Sequence, residues 1–126
     1  IATGQRRQLK KASGMYMATN DYYERIEATF DQVESALEML PDDIDIRGAE
    51  GVINVTFENG AVFVFSRQPP TEQLWLATPG GGFHYLWDED HWIDTKTGEV
   101  FETVLAREIA EHTGLALDWS SSSDSP

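Results

Sequence analysis

Four carboxylates, Glu27, Asp31, Glu34 and Glu38, recur at steps of 4, 3 and 4 residues. Each directly follows an apolar residue (Ile26, Phe30, Val33, Leu37), so on a helix it lies about 100° round the axis from a core position. The set forms a continuous carboxylate ridge beside a buried stripe. Asp42, Asp43 and Asp45 extend it into the segment that follows. Like charges at this spacing destabilise a helix by roughly 0.2–0.5 kcal/mol per pair, and no lysine is interleaved to relieve them. An exposed, multiply anionic, all-oxygen patch binds hard cations such as Fe2+, Fe3+, Mn2+ or Ca2+, weakly and with little selectivity. The competing reading is a solvated face of a very acidic chain.

A different chemistry is offered by Gln73, Trp75 and His84. Gln73 and Trp75 are two residues apart in an extended run, so they share one face, and Leu74 and Leu76 share the other. The leucines claim the core, which leaves the indole outside. A large apolar ring with one donor suits recognition of a partner protein; cover by a neighbouring helix or tail is the alternative. In the next run His84 and Leu86 point outward, while Phe83, Tyr85 and Trp87 point inward. His91, after Asp88-Glu89-Asp90, reads as turn decoration, with a second cation site as the alternative. His112 closes a helix and complements its dipole.

The elements that must position these residues follow from periodicity. Ile26, Phe30, Val33, Leu37 and Leu40 make one apolar stripe, predicting a helix over 22–40, capped by Asn20 or Asp21 and closed by Pro41. Strands are expected over 42–47, 52–57, 61–66, 73–78, 83–88 and 91–94. Parity sets the Asn59-Gly60 hairpin: only a three-residue loop, Glu58-Asn59-Gly60 with Gly60 left-handed, puts Ile53, Val55, Phe57, Phe63 and Phe65 on one face. A second helix over 100–112 carries Phe101, Val104, Leu105 and Ile109, and Gly114 fits the position after its end. Residues 115–119 pack back along the helices. The fold class is α+β: two helices packed on one face of a single antiparallel β-sheet, an α/β sandwich with the other sheet face wet.

Composition narrows the function. The 126 residues suffice for one domain with its own core. No run of about 18 apolar residues exists, so no direct membrane insertion by a helix is expected. The absence of cysteine excludes disulfides, thiolate metal sites and cysteine nucleophiles. Residues 1–20 carry Arg6, Arg7, Lys10 and Lys11 with no acid; the remainder holds all 22 acids and 5 basic residues, and the net charge is −13. Such a body repels nucleic acid and attracts cations and basic protein surfaces. Gly80, Gly81 and Gly82 lack the lysine and following helix of a phosphate loop. The sequon at Asn54 lies within a strand and is set aside.

Around Trp75 the chain resembles the frataxin family, bacterial members included. The pattern Q-x-P-x-x-Q-x-W-L-[AS]-[ST] stands here as Gln68, Pro70, Gln73, Trp75, Leu76, Ala77 and Thr78, followed by the three glycines and a further tryptophan, Trp92. The likeness runs from about residue 22 to residue 117, and Ser66 departs from it where the family usually has Asn. The resemblance implies a frataxin-like sandwich that binds iron (Fe2+/Fe3+) weakly on an acidic ridge of first helix and first strand. It also implies ferroxidase activity and support of iron–sulfur cluster assembly on a cysteine desulfurase–scaffold complex. Carried over, the metal residues are Glu27, Asp31, Glu34, Glu38, Asp42, Asp43 and Asp45, and the partner-binding residues are Gln73, Trp75 and His84, the last where relatives carry a basic residue or a His.

The expected organisation is a basic N-terminal extension over 1–20, the frataxin-like domain over 21–119 and a polar tail over 120–126. The acid-free head resembles the remnant of a mitochondrial transit segment, giving the mitochondrial matrix as the expected location and the bacterial cytoplasm as the alternative. The alternative function is that of an accessory subunit of a larger mitochondrial assembly, such as a respiratory complex.

Overall fold

The computed structural model describes residues 19–119; the basic head over 1–18 and the serine tail over 120–126 lie outside the described residues. The first helix, α1 (Asn20–Glu38), leads into six strands: β1 (Asp45–Ala49), β2 (Val52–Thr56), β3 (Val62–Gln68), β4 (Gln73–Thr78), β5 (Gly81–Asp88) and β6 (His91–Asp94). A second helix, α2 (Phe101–Thr113), follows. The strands pair antiparallel in the order β1-β2-β3-β4-β5-β6, as short connections dictate. Both helices lie on one face, and their stripes meet the inward residues of the sheet in a single core.

Helix α1 starts two residues before the predicted helix and stops two residues short of its end. The cap is Thr19, whose hydroxyl accepts the Tyr22 N–H at 3.1 Å, rather than Asn20 or Asp21. Its buried face is Tyr22, Ile26, Thr29, Val33, Ala36 and Leu37; Phe30, expected in the core, is half-buried at its margin. Tyr22 anchors the helix to the sheet: its hydroxyl donates to the Gln73 carbonyl at 2.6 Å and accepts from the Gln68 N–H at 2.9 Å. Across the helix Thr29 accepts the buried Trp92 indole N–H at 2.8 Å.

The first strand is shifted from the expected 42–47 to Asp45–Ala49, because a two-residue turn, Glu50 and Gly51, sets Ala49 opposite Val52. Gly51 takes φ +77°, which a side chain would resist. The next hairpin has the three-residue loop required by parity. The Phe57 N–H donates to the Ala61 carbonyl at 2.9 Å, Gly60 has φ +92°, and Val55 pairs with Phe63. All five expected residues, Ile53, Val55, Phe57, Phe63 and Phe65, are buried. Each such side chain contributes about 1.5–3 kcal/mol on leaving water. Strands β4 and β6 have the predicted bounds. Gly114 ends α2 in the left-handed region, and Trp119 packs against Phe101 with ring centroids 6.1 Å apart.

Candidate functional site

The carboxylate ridge occupies the flank of α1 that faces the β1 edge. The opposite flank is fixed by Arg25, which lies over the Trp87 ring at 5.3 Å, and by the Thr29–Trp92 bond, both toward β5 and β6. On the ridge side the Glu34 carboxylate reaches within 3.9 Å of the point where a Cβ on Gly48 would stand. Glu27, Asp31 and Glu38 are exposed and Glu34 is half-buried. Among the described residues none of the four enters an ion pair.

The remaining expected ligands divide. Asp42 and Asp43 lie in the connection after α1 rather than in the first strand, and Asp42 accepts the Glu58 N–H at 3.2 Å. A side-chain hydrogen bond with Asp42, followed by repulsion from its charge, holds the Glu58 carboxyl above its ordinary value of 4.5. Glu58 is therefore a further carboxylate at the end of the ridge, unanticipated because it belongs to a distant hairpin tip. Asp45 is set apart. It pairs with Thr56 and alternates with half-buried Ile46, which puts it on the wet face of the sheet. There it forms an exposed ion pair with Arg47 at 3.0 Å, a contact of small energetic weight.

No three carboxylates of the ridge converge closely among the described residues. The group whose ligand atoms all lie within 4.8 Å of one another is Glu108, Glu111 and His112. The ridge thus offers a high local density of hard oxygen donors, not an enclosed cage. Such a surface holds a cation that keeps much of its water.

Gln73, Trp75 and His84 do form one constellation. Trp75 and His84 stand directly opposite each other across β4 and β5. Their rings stack at 4.2 Å with 12° between planes. The indole N–H donates to the Gln73 Oε1 at 2.7 Å. Leu74 and Leu76 are buried, so the face assignment holds. Trp75 is half-buried, one side of its ring being covered by His84. Leu86, opposite Gln73 and 44% exposed, adds apolar surface to the same face.

His91 is exposed opposite Asp88 at the edge of the sheet. His112 does lie in the last turn of α2, but its Nε2 also stands 3.3 Å from Oε1 of Glu108, a buried carboxylate that sequence patterning missed. The signal was its position, one helical turn after Val104 on the core stripe.

A single meandering antiparallel sheet under two helices, with an acidic first helix and a Gln–Trp–His face, defines a frataxin-type α/β sandwich. The chain belongs to the frataxin family: residues 15–115 match the model of the frataxin-like domain. It is 35% identical over 108 residues to the iron-sulfur cluster assembly protein CyaY of Variovorax paradoxus (strain S110), covering 82% of this chain and 98% of the relative. It is 37% identical over 101 residues to the protein of that name from Pseudomonas syringae pv. tomato, covering 79% and 92%. Among solved structures, frataxin from Psychromonas ingrahamii superposes with a TM-score of 0.75 at 27% identity, over 82% of this chain and 98% of that one. Trimeric frataxin from the yeast Saccharomyces cerevisiae, complexed with ferrous iron, gives 0.59 at 26% identity, over 75% and 86%. These curated relatives are bacterial, so they lend no support to the mitochondrial location expected from the basic head.

Proposed function

We propose that the protein binds iron on the α1 ridge and supports iron–sulfur cluster assembly, docking through its wet sheet face. The observation that carries this reading is the row Glu27, Asp31, Glu34 and Glu38, left without a basic partner among the described residues along the flank beside β1. Asp42, Asp43 and Glu58 continue the anionic surface at its C-terminal end. Nothing in the fold requires that concentration of charge, and repulsion along it opposes folding. A cation removes the repulsion, and hard oxygen donors suit Fe2+ and, more strongly, Fe3+. The open arrangement makes binding weak and iron readily surrendered, as suits a donor. Iron is here the cargo.

The docking face is Gln73, Trp75 and His84 with Leu86 beside them. Its proposed partner is a cysteine desulfurase–scaffold complex. The stacked, hydrogen-bonded rings are already ordered, which lowers the entropy lost on association. Ferroxidase chemistry would be loose oxidation of Fe2+ held by grouped carboxylates, the electron passing to dissolved dioxygen. The similarity to proteins named for iron–sulfur cluster assembly in bacteria supports the reading, and with it a location in the bacterial cytoplasm.

The test is cluster formation on a purified desulfurase–scaffold pair with added Fe2+. Trp75→Ala should abolish the effect of this protein while leaving its Fe2+ binding intact. Replacing Asp31, Glu34 and Glu38 by Lys should abolish Fe2+ binding itself. An effect that survives both changes would contradict the proposal.

A further inference from the structure

We propose that Glu108, Glu111 and His112 at the C-terminal end of α2 form a second cation site, with mixed nitrogen and oxygen ligands, for a later first-row ion such as Co2+ or Zn2+. It is separate from the ridge and does not depend on the ridge reading.

Spacing and distance both fit one ion. Residues three and four apart share a helical face, and one ligand atom from each lies within 4.8 Å of the others. Oε1 of Glu108 and Nε2 of His112 are 3.3 Å apart. With metal–ligand bonds of about 2.1 Å, two ligands of one ion stand roughly 3.0 Å apart at a right angle and roughly 3.4 Å apart in a tetrahedron.

The surroundings keep that space open and aim the ligands. A Cβ on Gly80 would meet Oε1 of Glu108 and Nε2 of His112, each at 2.9 Å. Gly80 is not in the left-handed region, so its backbone does not demand glycine. Its missing side chain is the room above the pair. Thr78 donates its hydroxyl to Oε1 of Glu108 at 2.6 Å and accepts the Gly80 N–H at 2.9 Å. A hydrogen bond of this kind from the next layer orients a metal-binding carboxylate.

Electrostatics asks for a cation there. Glu108, only 6% exposed, and Glu111 stand in the final turns of α2, at the negative end of the helix dipole. Arg107, next to Glu108 in the chain, is engaged by Glu99 at 2.7 Å. Compensation falls to a protonated His112 or to a metal ion on the neutral imidazole. The imidazole nitrogen also distinguishes this site from the all-oxygen ridge, because it raises affinity for the later first-row ions over Ca2+ or Mg2+.

The experiment titrates Co2+ into the full chain, following visible absorption and paramagnetic shifts in amide NMR spectra. Saturable binding is expected, with shifts centred on residues 78–80 and 108–112 and reversed by Zn2+ but not Mg2+. Gly80→Ala, Glu111→Gln and His112→Gln should each weaken it about tenfold or more. Glu111 is exposed, so its variant should fold normally. The Asp31/Glu34/Glu38→Lys variant should bind Co2+ here unchanged, whatever becomes of Fe2+ on the ridge. Affinity unaffected by all three local substitutions, or shifts centred on α1, would overturn the site and leave Glu108 and His112 as an ion pair.

Discussion

The Trp75 indole lies flat on the His84 imidazole, centroids 4.2 Å apart, at directly opposed positions of β4 and β5. The pair organises the wet face, because the indole N–H is simultaneously turned to Gln73. Stacked aromatic pairs contribute about 0.5–1.5 kcal/mol beyond their buried area. A double-mutant cycle of Trp75→Ala and His84→Ala in urea denaturation should return a coupling in that range. Trp75→Ala alone should cost only about 1 kcal/mol, as a half-exposed site does. A coupling below about 0.3 kcal/mol would mean the rings are independent.

Gly60→Val probes the β2–β3 hairpin. Gly60 has φ +92° and open space where a Cβ would stand, so the substitution isolates backbone strain from any clash. A loss of at least about 1 kcal/mol is expected. An unchanged denaturation midpoint would contradict the left-handed position and the register built on it.

Thr29→Val tests the tie between α1 and β6. The valine keeps the shape but leaves the Trp92 indole N–H buried without an acceptor. The expected cost is about 1–3 kcal/mol, measured by chemical denaturation. A neutral result would show that the indole finds another acceptor.

Glu58 gives a pH signature. Its folded-state pKa is raised, chiefly by the hydrogen bond with Asp42, so above its ordinary value the folded chain binds more protons than the unfolded one. Stability must then fall as pH rises through that range. Glu58→Gln, whose amide can still donate to Asp42, should flatten the decline of melting temperature as pH rises above the ordinary Glu value. An unchanged profile would separate the two carboxyls.

Much of this was legible in the residues themselves. Side-chain parity gave the Glu58-Asn59-Gly60 loop, and the alternation of Leu74 and Leu76 with Gln73 and Trp75 gave the faces of β4. The first strand was not, because Asp42 and Asp43 looked continuous with Asp45. The Glu50-Gly51 turn was the stronger signal, and it moves the strand to Asp45–Ala49 and turns Asp45 to the wet face. Glu58 joins the ridge, and His112 meets Glu108, only through tertiary contacts that no local period encodes. Thr19 caps α1 by accepting the Tyr22 N–H, a choice among adjacent polar residues that composition leaves open.

Iron held on the α1 ridge must show in the melting temperature under anaerobic Fe2+. A ligand that binds only the folded state must raise it. Stabilisation is expected from Fe2+, and from roughly millimolar Ca2+ or Mn2+, beyond that of NaCl at equal ionic strength. Replacing Asp31, Glu34 and Glu38 together by Lys should remove the increment, because only Glu27 would then remain of the four ridge carboxylates on α1. A wild-type response to Fe2+ no larger than that to matched NaCl would refute iron binding on α1 and reduce the ridge to a solvated face.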